Sequence, residues 1–186
     1  MIHQGNAITC QLLADGIAEI QLNNQSESVN KFNRATLEEL NTVLETLKGT
    51  AGVKAAILTS GKDVFVVGAD ISEFIPMFAE SDEVLRGWLQ QSNAIFFSAL
   101  EDLPFPTVTA INGIALGGGL EAALCTDFRV ASTAARIGLP EVKLGLIPGF
   151  GGTIRLPRLI GADNAMEWIA TGKEAKPQEA LAVGAI

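Results

Sequence analysis

The sequence is short of the side chains that most often do chemistry alone. Among 186 residues there is one histidine, His3, and there are two cysteines, Cys10 and Cys125. His3 stands beside the terminus and reads as a solvated residue. With no imidazole to serve as partner, Cys125 reads as core rather than as a nucleophile. The cysteines lie far apart, with no CxxC or Cys/His cluster, so no metal framework is visible and the usage suits a reducing compartment. Positive charge is scarce as well. The 13 Lys and Arg stand against 21 Asp and Glu, a net charge of −8, which argues against broad electrostatic attachment to nucleic acid or to an anionic membrane. An anionic ligand then needs a local basic or backbone-amide site. No apolar run reaches the roughly 18 residues of a membrane span, and the start MIHQGNAITCQLL lacks a basic region followed by a long apolar stretch. Neither GxxxxGK[ST] nor GxGxxG occurs, so neither a phosphate loop nor NAD-dependent oxidation is expected. On this basis the chain reads as a soluble, cytoplasmic protein without a membrane span or nucleic-acid partner.

What is present is a sequence for one packed domain. Hydrophobic residues make up 48% and charged residues 18%, enough for a core without disulfides or metal. Ala7 to Leu13 and Ile17 to Leu22 flank Asp15-Gly16 as an opening hairpin. Leu37, Leu40, Leu44 and Leu47 share one face of a helix over Asn33 to Leu47. Lys54 to Ser60 and Asp63 to Val67 read as strands, and Ser81 as the cap of a helix whose apolar face runs through Val84, Trp88, Ile95 and Ala99. Trp88 and Phe96-Phe97 read as core on that spacing. Pro104 and Pro106 end the helix. Thr107 to Ile114 reads as a strand interrupted at Asn112-Gly113, after which Gly117 to Gly119 opens the helix LEAALC. Asp127 to Ala131 and Ala135 to Leu139 read as strands; Thr153 to Leu159, Ala162 to Ala170 and Pro177 to Val183 read as helices. Alternating strands and helices predict an α/β fold.

Two carboxyls fall in apolar or glycine-rich surroundings, Glu121 and Glu141. Facing one cleft, they would have their proton affinities pushed apart by burial and mutual repulsion, giving an acid and a base near neutral pH without metal. The plainer alternative makes Glu121 a helix-dipole partner and Glu141 a solvated loop residue. A glycine-rich turn into a helix exposes unpaired N–H groups suited to an anion or to a carbonyl oxygen gaining charge, and Gly68-Ala69 offers a second such turn. The alternative for the triple glycine is close helix packing alone.

The segments FVVGADISEF, PTVTAINGIALGGGLEAAL and IGLPEVKLGLIPGFGGTIRLPRLIG, in that order, resemble the crotonase (enoyl-CoA hydratase/isomerase) superfamily. The details VVGADI and PGFGG are most similar to the N-terminal hydratase/isomerase domain of the α subunit of the bacterial fatty acid oxidation complex. The resemblance implies a crotonase-like α/β spiral of repeated ββα units over residues 1–186, truncated at its C-terminus and lacking the helical region and the dehydrogenase domain that follow in the family. By position it implies Glu121 and Glu141 as catalytic residues, the backbone N–H groups of Ala69 and Gly118 as an oxyanion hole, and Gly68, Asp70 and Ile71 with Ser28, Val29, Asn30 and Lys31 as acyl-CoA contacts. No cofactor or metal is implied, since acyl-CoA is the substrate. The implied activity is hydration of trans-2-enoyl-CoA to 3-hydroxyacyl-CoA in fatty acid β-oxidation, together with Δ3–Δ2 isomerisation. The implied partners are copies of the chain in a homo-oligomer or, in a full-length subunit, a thiolase β subunit. Two alternatives stay open: another crotonase-type CoA-thioester enzyme, or an inactive acyl-CoA-binding or assembly fragment.

Overall fold

The computed structural model describes residues 1–186. Strands β1 (His3–Gln4) and β2 (Ile8–Leu12) pair antiparallel, and a 3-10 turn over Ala14–Gly16 returns the chain into β3 (Ile17–Leu22). Helix α1 (Arg34–Gly49) follows, started by Asn33, whose Oδ1 accepts the Thr36 N–H at 2.8 Å. Its buried face carries Leu37, Leu40, Val43, Leu44 and Leu47, the three- and four-residue steps of an amphipathic helix. Strand β4 (Ala55–Ser60) then lies parallel to β3, with Ile17 opposite Ala55 and Leu22 opposite Ser60.

The run Asp63 to Val67 is not a strand. Its polar groups are taken one at a time: Ser60 Oγ donates to Val64 O at 2.6 Å, Asn30 Nδ2 to Phe65 O at 3.1 Å, and the N–H groups of Phe65 and Val66 both donate to Ile114 O at 3.0 Å. A β-rich composition is thus overridden by side-chain anchors, and only an isolated bridge, Val66 to Ala115, remains. After a 3-10 turn at Ile71–Glu73 come α2 (Phe74–Phe78) and α3 (Asp82–Ser92), the latter capped by Ser81 Oγ on Val84 N. From Asn93 to Ser98 the helix widens to π geometry before its last turn, α4 (Ala99–Glu101). The wider turn breaks the regular spacing, and Phe97, Ala99 and Leu100 are buried; Val84, in the first turns of α3, is exposed. The expected single apolar face does not form.

Strand β5 (Thr107–Ile111) runs parallel to β4, and β6 (Ile114–Leu116) leaves for a second sheet after Asn112-Gly113. Helix α5 (Gly118–Leu124) leads to β7 (Phe128–Ala131), which pairs parallel with β5, and to β8 (Arg136–Gly138), which pairs parallel with β6. A 3-10 turn at Glu141–Leu144 precedes α6 (Gly152–Ile160), α7 (Ala162–Thr171), β9 (Glu174–Ala175) and α8 (Pro177–Ala182). The larger sheet has the order β1-β2-β3-β4-β5-β7 and the smaller β6-β8-β9. One buried apolar cluster joins Ile20, Leu44, Phe97, Leu120 and Trp168. No helix is long and apolar enough to cross a membrane. The chain thus crosses to the smaller sheet at Asn112-Gly113 and, through the triple glycine and α5, returns to the larger one at β7, which sets the start of α5 between the two sheets.

Candidate active site

Ala69 is positioned by backbone pairing. It forms a parallel bridge with Phe32, in which Phe32 N–H donates to Gly68 O and Asp70 N–H to Phe32 O, both at 2.8 Å. In extended chain the residue between two such bonds turns its own N–H to the opposite side. The Ala69 N–H accordingly faces away from Phe32 and has no acceptor in the protein. Asn30 steadies the same loop from below. It is buried, accepts from Asn24 N at 3.1 Å, and donates to Leu22 O, Ser60 Oγ and Phe65 O at 2.9, 2.9 and 3.1 Å.

Gly118 is the first residue of α5, so its N–H has no intrahelical acceptor. The turn before it needs glycine: Gly117 has φ 53°, ψ −127° and donates to Gly138 O at 3.0 Å. A Cβ on Gly119 would lie 2.3 Å from Val66 O, so this residue must be glycine for α5 to pack on the loop that carries Ala69. A Cβ on Gly118 would lie 3.9 Å from Ala69 N. The two free donors therefore neighbour each other.

One turn into α5, Glu121 is almost wholly buried, at 1% exposure. Its Oε1 accepts the N–H groups of Phe150 and Gly152, each at 2.8 Å, which leaves Oε2 without a protein partner. Burial pushes the carboxyl up to about 7; the Gly152 N–H opposes this and the charge of Glu141 adds to it. Glu141, at the start of the 3-10 turn after Pro140, is also raised by burial, opposed by its own backbone N–H. Its Oε2 is buried with no hydrogen-bond partner, an arrangement that costs stability and is found where a group is kept ready for something else.

Ala69, Gly118, Glu121 and Glu141 line one cavity of about 490 Å³, walled mainly by apolar side chains. Gly68 and Ile71 line it too. Asp70 does not; it pairs with Lys31 at 2.9 Å and accepts from Ser72, and the Lys31 ammonium holds its carboxyl below the usual range. Lys31 also meets Glu27 at 3.2 Å. Ser28 is exposed and Val29 half-buried, neither on the cavity wall. Asn30 is not on the cavity wall either. Its side-chain atoms are spent on internal hydrogen bonds, so its part is to hold the loop.

Several residues on the wall were missed from sequence. Phe150 supplies an N–H to Glu121 while its ring stacks on Phe97 at 4.6 Å, 10° from parallel, and Phe97 meets Phe32 edge-on at 5.9 Å. The glycines on both sides of Phe150, Gly149 and the pair Gly151-Gly152, are the available signal. Trp88 is half-buried: it packs against the core cluster, as its spacing suggests, and also lines the cavity, edge-on to Phe150 at 5.9 Å. Cys125 donates its thiol to Glu121 O at 3.2 Å and is pushed up to about 12 by burial, which makes it a poor nucleophile. His3 is not freely solvated: Nε2 lies 3.3 Å from Glu39 Oε1, on the outer strand.

An α/β scaffold that turns two backbone N–H groups and two buried carboxyls into one apolar cavity has the parts for moving protons next to a carbonyl. The chain belongs to the enoyl-CoA hydratase/isomerase family, whose model matches residues 13–186. Among solved structures it is similar to an enoyl-CoA hydratase from Bacillus anthracis, with 38% identity and a TM-score of 0.86 over 97% of this chain and 68% of that one. It is similar to DspI of Pseudomonas aeruginosa at 32% identity and TM-score 0.86, over 98% of this chain and 72% of that one. An enoyl-CoA hydratase from Thermoplasma volcanium shows 27% identity and TM-score 0.86, over 98% and 71%. The fold is therefore the crotonase-like α/β fold, and the chain a crotonase-type enzyme acting on CoA thioesters.

Proposed function

We propose that the chain hydrates trans-2-enoyl-CoA to 3-hydroxyacyl-CoA, as part of fatty acid β-oxidation, and that the same pair of acids carries Δ3–Δ2 isomerisation. The thioester oxygen sits between the N–H groups of Ala69 and Gly118 and gains charge as water adds at C3. Each preorganised donor contributes about 3 kcal/mol to that transition state. Glu121 accepts a proton from the attacking water through Oε2, while its Oε1 is fixed by Phe150 and Gly152. Protonated Glu141 delivers a proton to C2, completing the addition of water, and proton exchange then resets the pair. In isomerisation Glu141 removes a proton from C2 and the enolate is reprotonated at C4, the same donors carrying its charge.

The observation that carries this reading is that both acids and both free N–H groups open into one cavity. Crotonyl-CoA hydration followed by loss of the enoyl chromophore tests it. Glu141→Gln keeps the shape and removes the acid, and the rate should fall by about 10²- to 10⁴-fold. Near-normal hydration by that variant rejects the assignment, and release of free CoA without 3-hydroxy product favours a hydrolase.

A further inference from the structure

A second cavity, of about 550 Å³, lies on the other side of α2. The five-residue helix divides the two by its own periodicity: Phe74 and Phe78, one turn apart, line the first cavity, whereas Pro76 and Met77 line the second. Only one side chain lines both, Trp88 of α3. The second cavity is lined by the half-buried apolar side chains of Met77, Leu85 and Trp88 and by the charged side chains of Glu73, Arg34 and Glu80, the last two exposed.

We propose that Trp88 is the partition that sets acyl-chain length, closing the first cavity against a second apolar compartment that a longer chain would enter. The inference rests on the acyl-CoA reading of the first cavity. With the thioester oxygen at Ala69 and Gly118 and the reacting carbons at Glu121 and Glu141, the alkyl tail continues past Glu121. There it meets Phe150, whose N–H holds that carboxyl, and then the indole packed against Phe150. A short tail ends at the indole. A tail of eight or ten carbons has the second cavity directly behind it, lined by side chains that favour methylenes and opening toward charged residues that do not.

The test is the affinity of butyryl-CoA and decanoyl-CoA, both saturated and unable to be hydrated, measured by calorimetry on the wild-type chain, Trp88→Ala and Trp88→Ala/Met77→Trp. Each methylene taken out of water is worth about fourfold in binding. Trp88→Ala is expected to raise the decanoyl-to-butyryl affinity ratio at least tenfold, and Met77→Trp, which puts an indole back into the lining of the second cavity, to return the ratio toward the wild-type value. An unchanged ratio in folded Trp88→Ala overturns the proposal, as does a rise that Met77→Trp leaves intact. Folding is checked by circular dichroism and by the fluorescence of buried Trp168. If Trp88→Ala is unfolded, Trp88→Leu takes its place under the same two criteria. Binding without any hydration of crotonyl-CoA counts against the hydratase reading alone, since the affinity ratio still decides on Trp88. No binding of either thioester overturns both.

Discussion

Phe150 holds Glu121 in place with its backbone while its ring is held by others: the N–H donates to Oε1 at 2.8 Å and the ring stacks on Phe97 at 4.6 Å. An aromatic column from Phe32 through Phe97 to Phe150 thus carries the packing of the core to the orientation of a buried carboxyl. Truncating its middle member should loosen the acid. Phe97→Ala is expected to cost about 3–5 kcal/mol in urea unfolding and to lower kcat for hydration more than it raises KM. A folded variant with unchanged kcat argues that Glu121 is oriented without the column.

The raised Glu121 carboxyl makes stability depend on pH. Its ordinary value is 4.5 and burial pushes it up to about 7 in the folded chain, so the folded state holds this proton more tightly than the unfolded state. The stabilisation is therefore complete below about pH 4.5 and is lost as pH rises through 7. Glu121→Gln keeps an oxygen for the Phe150 and Gly152 N–H groups but carries no charge. Between pH 5 and pH 8 the Tm of the wild type should fall relative to that variant by a few degrees. A Tm difference that is flat over this range contradicts the assignment.

The same group sets a limb of the activity profile. With Glu121 as the base, the rising limb of kcat/KM for hydration should have its midpoint near 7, rather than near the ordinary 4.5, and loss of the Glu141 proton bends the profile down again at higher pH. Initial rates from pH 5 to 9 decide this, and a profile already level at pH 5.5 removes Glu121 from that role.

The Asn30 side chain makes four hydrogen bonds, to Leu22 and Asn24 at the end of β3, to Ser60 and to Phe65. Asn30→Ala leaves the Phe65 carbonyl and the Asn24 N–H without partners, at a cost of about 3 kcal/mol in total. Because the loop it anchors carries Ala69, kcat should fall while KM moves less. Chemical unfolding and steady-state kinetics together read this, and equal changes in the two kinetic constants would make Asn30 a substrate contact after all.

Gly119→Ala tests the close approach of α5 to the loop. The new Cβ meets Val66 O at 2.3 Å, so one side must move, costing about 1–3 kcal/mol and separating the Gly118 and Ala69 donors. Loss of turnover with acyl-CoA affinity retained is expected from calorimetry beside an activity assay; full turnover denies the spacing its importance.

Much of this architecture is written in local patterns. Leu37 to Leu47 at helical steps, Asn33 before them, and Gly117 to Gly119 between a strand and an apolar helix each encode their element by short-range chemistry. The juxtaposition of Glu121 with Glu141 is not local, and only the family resemblance brought those positions together. The segment from Asp63 to Val67 misled because its strand-like residues are paired by Asn30 and Ser60, distant partners that propensity does not see. The π turn at Asn93–Ser98 has no sequence mark of its own, and helical spacing places Trp88 on an apolar face without showing that this face borders a cavity as well as the core. Strand β9, two residues long, is made by its partner β8 rather than by composition.

The bridge between Phe32 and Ala69 aims a hydrogen with main-chain atoms only. Side-chain scanning across positions 69 and 118 therefore passes over these donors without seeing them, since any residue except proline brings the same hydrogen. Replacing the amide at either position by an ester, through semisynthesis, would reveal what ordinary mutagenesis leaves hidden.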